Sequence, residues 1–247
     1  MSAPWSLAAE SVDVKPDAAF IVEQLGLRPQ PEVAAPGFGR AGPQAFLVCR
    51  GAEAETLRVH FHVVDQFQWF VHGGGKLGGH DVATGTLHYA DRFTPYGPLH
   101  SGSAGLAFST LRVVSDTGAY YMPEHRESLK GRRAGSPAGA KRRQQSWNLI
   151  SAATDFAGEW QDLVADSDGL RVAIVDVAEN AAVPAPTITA SGAYLAVVAG
   201  AALADGVLAG PGALTWDVSG EPRHLVAARP GTRVAVFQLP DPVDRAA

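Results

Sequence analysis

The stretch Arg58-Val59-His60-Phe61-His62-Val63-Val64-Asp65-Gln66, running on into Phe67-Gln68-Trp69-Phe70, decides the reading of this chain. Its aromatic and β-branched residues suit strands, and side chains along a strand alternate between two faces. His60 and His62, two positions apart, therefore project to the same side. If that side lines a barrel, both imidazoles face one point in its interior. A third histidine, His100, closes the segment Pro95-Tyr96-Gly97-Pro98-Leu99-His100 and would complete a set of three nitrogen donors. Imidazole suits iron, zinc, copper and nickel, and three protein ligands leave positions open for water or substrate.

Arg58 shares the parity of the two histidines and is a candidate partner for a substrate carboxylate. Gln66 is placed to ligate weakly through its amide oxygen or to orient a bound water. Gln68 shares the same parity if the strand runs straight. His88, in Thr86-Leu87-His88-Tyr89-Ala90-Asp91, is either a hydrogen-bonded core residue or a ligand or acid–base group. Tyr89, Arg92 and Tyr96 read as pocket lining, Phe67, Trp69 and Phe70 as core, and His72 and His80 as exposed. His125 and His224 suggest no role.

Away from this segment the chain reads as a string of short strands joined by Gly- and Asp-containing turns, with Gly73-Gly74-Gly75 and Gly78-Gly79 marking a flexible turn. A short helix is expected around Ala18–Leu25, followed by a Pro/Gly-rich connector from Pro29 to Pro43. Residues 124–165 change character. Arg126, Lys130, Arg132, Arg133, Lys141, Arg142 and Arg143 face only Glu124 and Glu127 up to Trp147, and a connecting helix is expected over Ser151–Leu163. With no aromatic residues interleaved, the basic run reads as a solvated linker, and nucleic acid is not an expected partner. The expected division is 1–123 for an N-terminal segment and first barrel, 124–165 for linker and helix, and 166–247 for a second barrel.

The 247 residues, 46% hydrophobic and 18% charged, suffice for a large core, and the net charge of −5 gives no pull towards anionic surfaces. Cys49 is the only cysteine, so no internal disulfide can form. No apolar run reaches the ~20 residues of a membrane span. The lone cysteine makes a reducing cytoplasm the expected location, and no signal peptide is read at the start.

The two β regions superimpose. His60-x-His62-(x)3-Gln66-(x)6-Gly73 has its counterpart in Thr187-x-Thr189-(x)3-Ala193-(x)6-Gly200 at a constant offset of 127 residues. Two threonines and an alanine do not hold a transition metal, so the second copy is expected to be metal-free and structural.

These residues resemble the cupin superfamily. Its first motif matches at His60, His62, Gln66 (in the usual glutamate position) and Gly73. Its second matches at Pro95, Gly97 and His100. Ala54, Tyr89 and Ala104 depart from it. With the degenerate copy, the chain resembles a bicupin: a mainly β protein of two tandem double-stranded β-helix, or jelly-roll, barrels. The resemblance implies a divalent metal on His60, His62 and His100, with Gln66 near it. Fe(II) is the leading choice, with zinc, manganese and nickel as others. It also implies a homodimer. Three neutral imidazoles leave a metal its full charge, which would favour a small anionic or enolisable metabolite. The leading expectation is a non-haem iron dioxygenase, with Arg58, Gln66 and His88 as candidate catalytic residues. A non-redox metal-dependent isomerase or lyase, and a ligand-binding cupin without turnover, stand beside it.

Overall fold

The computed structural model describes residues 21–26, 38–52, 56–116, 118–130, 143–154, 157–204, 206–217 and 225–240, with side chains from Pro43 onward. They fall into two compact units, the chain passing from the first to the second between Ser146 and Trp147.

In the first unit, β1 (Ile21–Gly26), β2 (Phe38–Arg50), β4 (Gln66–Leu77), β6 (Thr86–Ala90) and β7 (Leu99–Asp116) belong to one sheet, with β9 (Gln144–Asn148) at its edge. Its order is β1-β2-β7-β4-β6-β9, and β5 (His80–Ala83) pairs with β4. β3 (His60–Phe61) pairs separately with β8 (Tyr120–Tyr121). One face packs Phe70, Leu77, Val82, Ala90, Tyr96, Leu99, Leu106 and Phe108 into a core. Further along that face the side chains become polar: Gln44, Gln66, Gln68, His88, Thr110 and Arg112 are all buried. Buried polar side chains in a barrel interior need partners, and that requirement organises the site described below.

The second unit repeats the plan. One sheet runs β10 (Gln161–Ala165), β11 (Arg171–Val177), β17 (Thr232–Gln238), β12 (Ala193–Ala199), β15 (Leu214–Asp217). A smaller one runs β14 (Val207–Ala209), β13 (Ala202–Ala204), β16 (Leu225–Ala227). The register carries the repeat further than the sequence pattern does. Gln66 lies opposite Ala90, and Ala193 lies opposite Asp217, both members displaced by the same 127 positions. Phe67 lies opposite Leu111 and Tyr194 opposite Phe237.

Several local expectations are corrected. Ile21–Gly26 is a strand, not the end of a helix; Ala18–Phe20 lie outside the described residues. β2 begins at Phe38, inside the supposed connector. No helix spans 151–163: the described residues there form turns, and β10 begins at Gln161. Among the described residues the helical content is the 3-10 turn Arg126–Leu129. Residues 131–142 of the basic run lie outside them.

Gly73-Gly74-Gly75 is not a turn but the middle of β4. Gly73 has φ +63°, and a Cβ there would come within 2.1 Å of the Gly105 carbonyl oxygen. At Gly75 a Cβ would meet the His100 oxygen at 1.9 Å. The glycines let β4 and β7 close on each other through two register shifts. The turn itself falls at Gly78-Gly79.

Candidate small-molecule site

β3 is only two residues long, yet it brings both histidines inward: the His60 and His62 rings stand edge to face with centroids 5.2 Å apart. The bridge between His60 and Tyr96 lays the Pro95–Gly97 segment alongside. Donor and acceptor chemistry then fixes a directed chain. The Arg58 carbonyl can only accept, so His60 Nδ1 carries the proton and donates to it at 2.7 Å. That leaves a lone pair on His60 Nε2, which accepts from the Tyr96 hydroxyl at 3.0 Å. The Tyr96 oxygen accepts in turn from Gln66 Nε2 at 2.5 Å. The Gln66 carbonyl oxygen accepts from Arg112 Nε and Nη2, at 3.0 and 2.8 Å.

Arg112 is held on its other side by Gln44, whose amide oxygen accepts from Nη1 at 3.0 Å. Asp116, four residues on, lies 3.7 Å from Arg112 Nη2 and accepts from His62 Nδ1. Burial alone would raise the Asp116 carboxyl, but His62 and Arg112 outweigh it and hold it below the usual range. Burial, with His62 adding to it, lowers His60 to about 3, so its imidazole is neutral. Burial likewise pushes the Tyr96 phenol up, and it stays protonated.

The chain reaches an opening at Tyr96. A cavity of about 480 Å³ is lined by Leu77–His80, Val82, His88, Pro95–Gly97 and Gln144–Ser146. No Lys, Arg, Asp or Glu is among these described lining residues. His88 Nδ1 is 2.8 Å from Ser146 Oγ, and its ring lies 5.7 Å from that of Tyr96. Burial, with His80 adding to it, lowers His88 to about 4.

The site residues read from sequence therefore separate. His60, His62 and Gln66 come together, and His88 lies beside them across Tyr96. His100 does not join: it is exposed on β7 opposite Lys76, its Nδ1 3.0 Å from Thr56 Oγ1. Arg58 is also exposed, paired with Glu124 at 2.8 Å over the Tyr121 ring. His80 and His72 are exposed as read, although His80 borders the cavity. Tyr89 bonds Asp91 instead of lining it. Arg112 and Asp116 were missed. In sequence a charged residue between Leu111 and Val113 reads as the outward-facing position of an alternating strand, so no signal marked Arg112 as interior.

Among the described residues no group of three His, Cys, Asp or Glu side chains is placed to hold a metal ion. The Arg112 guanidinium also stands 3.5 Å from His62 Nε2 and occupies the Gln66 oxygen, two atoms such a centre would use. A fixed cation there opposes a dication. The residues present do not fit the three-histidine metal centre.

In the second barrel, Gln238 stands one position beyond Phe237 as Arg112 stands beyond Leu111. Gln238 Nε2 donates to Thr189 Oγ1 at 2.9 Å and to the Gly169 carbonyl at 2.6 Å, and its oxygen accepts from Thr189 N–H at 2.8 Å. The His62–Arg112 contact is replaced by a neutral threonine–glutamine one.

No protein-family model matches the sequence, and no curated protein matches it. Solved structures do share the fold. A putative dioxygenase from Nostoc punctiforme aligns over 97% of this chain and 83% of its own, with TM-score 0.57 and 9% identity. A cupin 2 conserved barrel domain protein from Leptotrichia buccalis aligns over 92% and 100%, with TM-score 0.51 and 11% identity. A mutant of the oxalate decarboxylase of Bacillus subtilis aligns over 81% and 69%, with TM-score 0.51 and 12% identity. No helix among the described residues is long and apolar enough to cross a membrane. With a mainly β architecture repeated in tandem, the chain has the fold of the cupin and jelly-roll barrels.

Proposed function

We propose that the first barrel is the working half of an enzyme that binds a small polar metabolite and moves a proton on it, in isomerase- or lyase-type chemistry. The observation that carries this reading is Tyr96, which both lines the cavity and is bonded into the buried chain from Arg112 to His60. Its oxygen can take a proton from a bound molecule while its own proton passes to His60 Nε2, and the reverse transfer returns it. Negative charge arising on the ligand would favour the imidazolium so formed. Arg112, through Gln66, keeps the Tyr96 oxygen oriented.

The non-haem iron dioxygenase expected from the sequence keeps one support, the fold likeness to the Nostoc protein, and Arg112 weighs against it. Elemental analysis of anaerobically purified protein, with turnover of small polar metabolites followed by NMR, separates the two. Turnover that survives chelation and falls about 100-fold or more in Tyr96→Phe supports proton transfer. Stoichiometric iron lost in His60→Ala, with oxygen uptake, would replace it by the metal-dependent reading.

A further inference from the structure

Among the enclosed polar atoms of the first barrel that have no hydrogen-bond partner among the described residues are His88 Nε2 and Gln68 Oε1. Their residues are 4% and 3% exposed. They are also direct cross-strand neighbours, Gln68 on β4 opposite His88 on β6, with side chains on the same face. Buried polar atoms are nearly always paired, and each one left unmade costs stability. Two on adjacent side chains, one of which borders the cavity, are a cost a folded barrel bears for something that arrives later. We propose that Gln68 and His88 form a subsite that recognises a neutral hydroxyl group of the ligand.

The chemistry selects the group. Gln68 Oε1 can only accept. Neutral His88 holds Ser146 through Nδ1, and when the Ser146 hydroxyl donates to Nδ1, Nε2 carries the proton and donates. A hydroxyl satisfies both, giving its proton to Gln68 and accepting one from His88. A carboxylate has no proton to give and would set its charge beside an acceptor oxygen. An ammonium has no lone pair for His88. The described lining, free of Lys, Arg, Asp and Glu, points the same way, so the metabolite class is a neutral alcohol or polyol. This rests on the reading of the first barrel as a small-molecule site, and it names what that site takes.

The test uses the full chain with a panel of neutral monosaccharides and polyols, set against the matching sugar acids and amino sugars. Binding is read by calorimetry and by the 15N resonances of the histidine rings. The expected result is saturable binding of a neutral member that shifts His88 Nε2. The matching acid and amine should bind about 10- to 100-fold more weakly, the range for one unmade hydrogen bond to a buried group. Gln68→Met should erase that discrimination while leaving the thermal midpoint unchanged or higher, because it removes an unsatisfied atom. A lowered midpoint, or equal affinity for alcohol, acid and amine, would overturn the subsite. Binding with the expected discrimination but no turnover would leave the subsite standing and remove the enzymatic reading.

Discussion

At the scale of the single residue, Arg112 is the group on which the interior of the first barrel turns. Its guanidinium serves Gln44 and Gln66 and lies near Asp116, with the side chain 4% exposed. Removing one partner of a buried charged set leaves the other charge uncompensated, a cost of about 3–5 kcal/mol. Arg112→Met should therefore lower the stability measured by urea denaturation by that amount. Adding Asp116→Asn should restore part of it, because the orphaned carboxylate is then gone. A double-variant loss equal to the sum of the Arg112→Met and Asp116→Asn losses would mean that the two side chains are not coupled. Sequence reasoning reached His60, His62 and Gln66 because spacing alone places them on one face. Tyr96 it read as lining, which it is. It missed Arg112 because one charged residue in an apolar strand looks like an outward-facing position until the register of β4 against β7 is known. It misplaced His100 because the motif spacing is silent on which face of a long, shifted strand that residue takes.

At the scale of the element, β4 shows how glycine sets strand geometry. Its first residues follow the alternation that marks them as strand. Gly73 and Gly75 then sit where two backbones approach too closely for any side chain. A triple glycine in sequence suggests a turn, since the positive φ of turns and the close approach of strands call for the same residue. Only long-range pairing tells them apart. Gly73→Ala should cost more than the ~1–3 kcal/mol of left-handed strain, because β7 must also retreat. Gly79→Ala, with no atom within 4 Å of the added carbon, should be close to neutral. Denaturation midpoints of the two variants check the contrast, and a tolerant Gly73 would mean that the β4–β7 register can slip. The edge strand Ile21–Gly26 was misread for a related reason. A short apolar run carries too few residues for its period to separate helix from strand, and its pairing with β2 decides.

At the scale of the whole molecule, one plan is used twice with different chemistry. The tandem repeat was legible as a spacing, and the registers bear it out. What could not be read was the replacement of the polar chain of the first barrel by local hydrogen bonds around Gln238 in the second. The second unit has its own charged fastening. Arg233 grips Asp176 through two contacts of 2.6 Å, and its Nη1 donates to the carbonyls of Leu149, Ile150 and Ala152. The Arg233 hydrogen bonds hold the Asp176 carboxyl below its ordinary value of 3.8. A carboxyl whose folded pKa is depressed stabilises the fold above the unfolded value and loses that contribution as pH falls through the folded one. The stability gap between the native chain and Asp176→Asn should therefore be constant near neutral pH and shrink below pH 3.8. With the Asp176 side chain 32% exposed, salt should narrow the gap further. Urea midpoints of both proteins across that range, at low and high salt, measure it. A gap independent of pH would show that shape, rather than charge, is what Asp176 contributes to fastening residues 149–152 onto the second barrel.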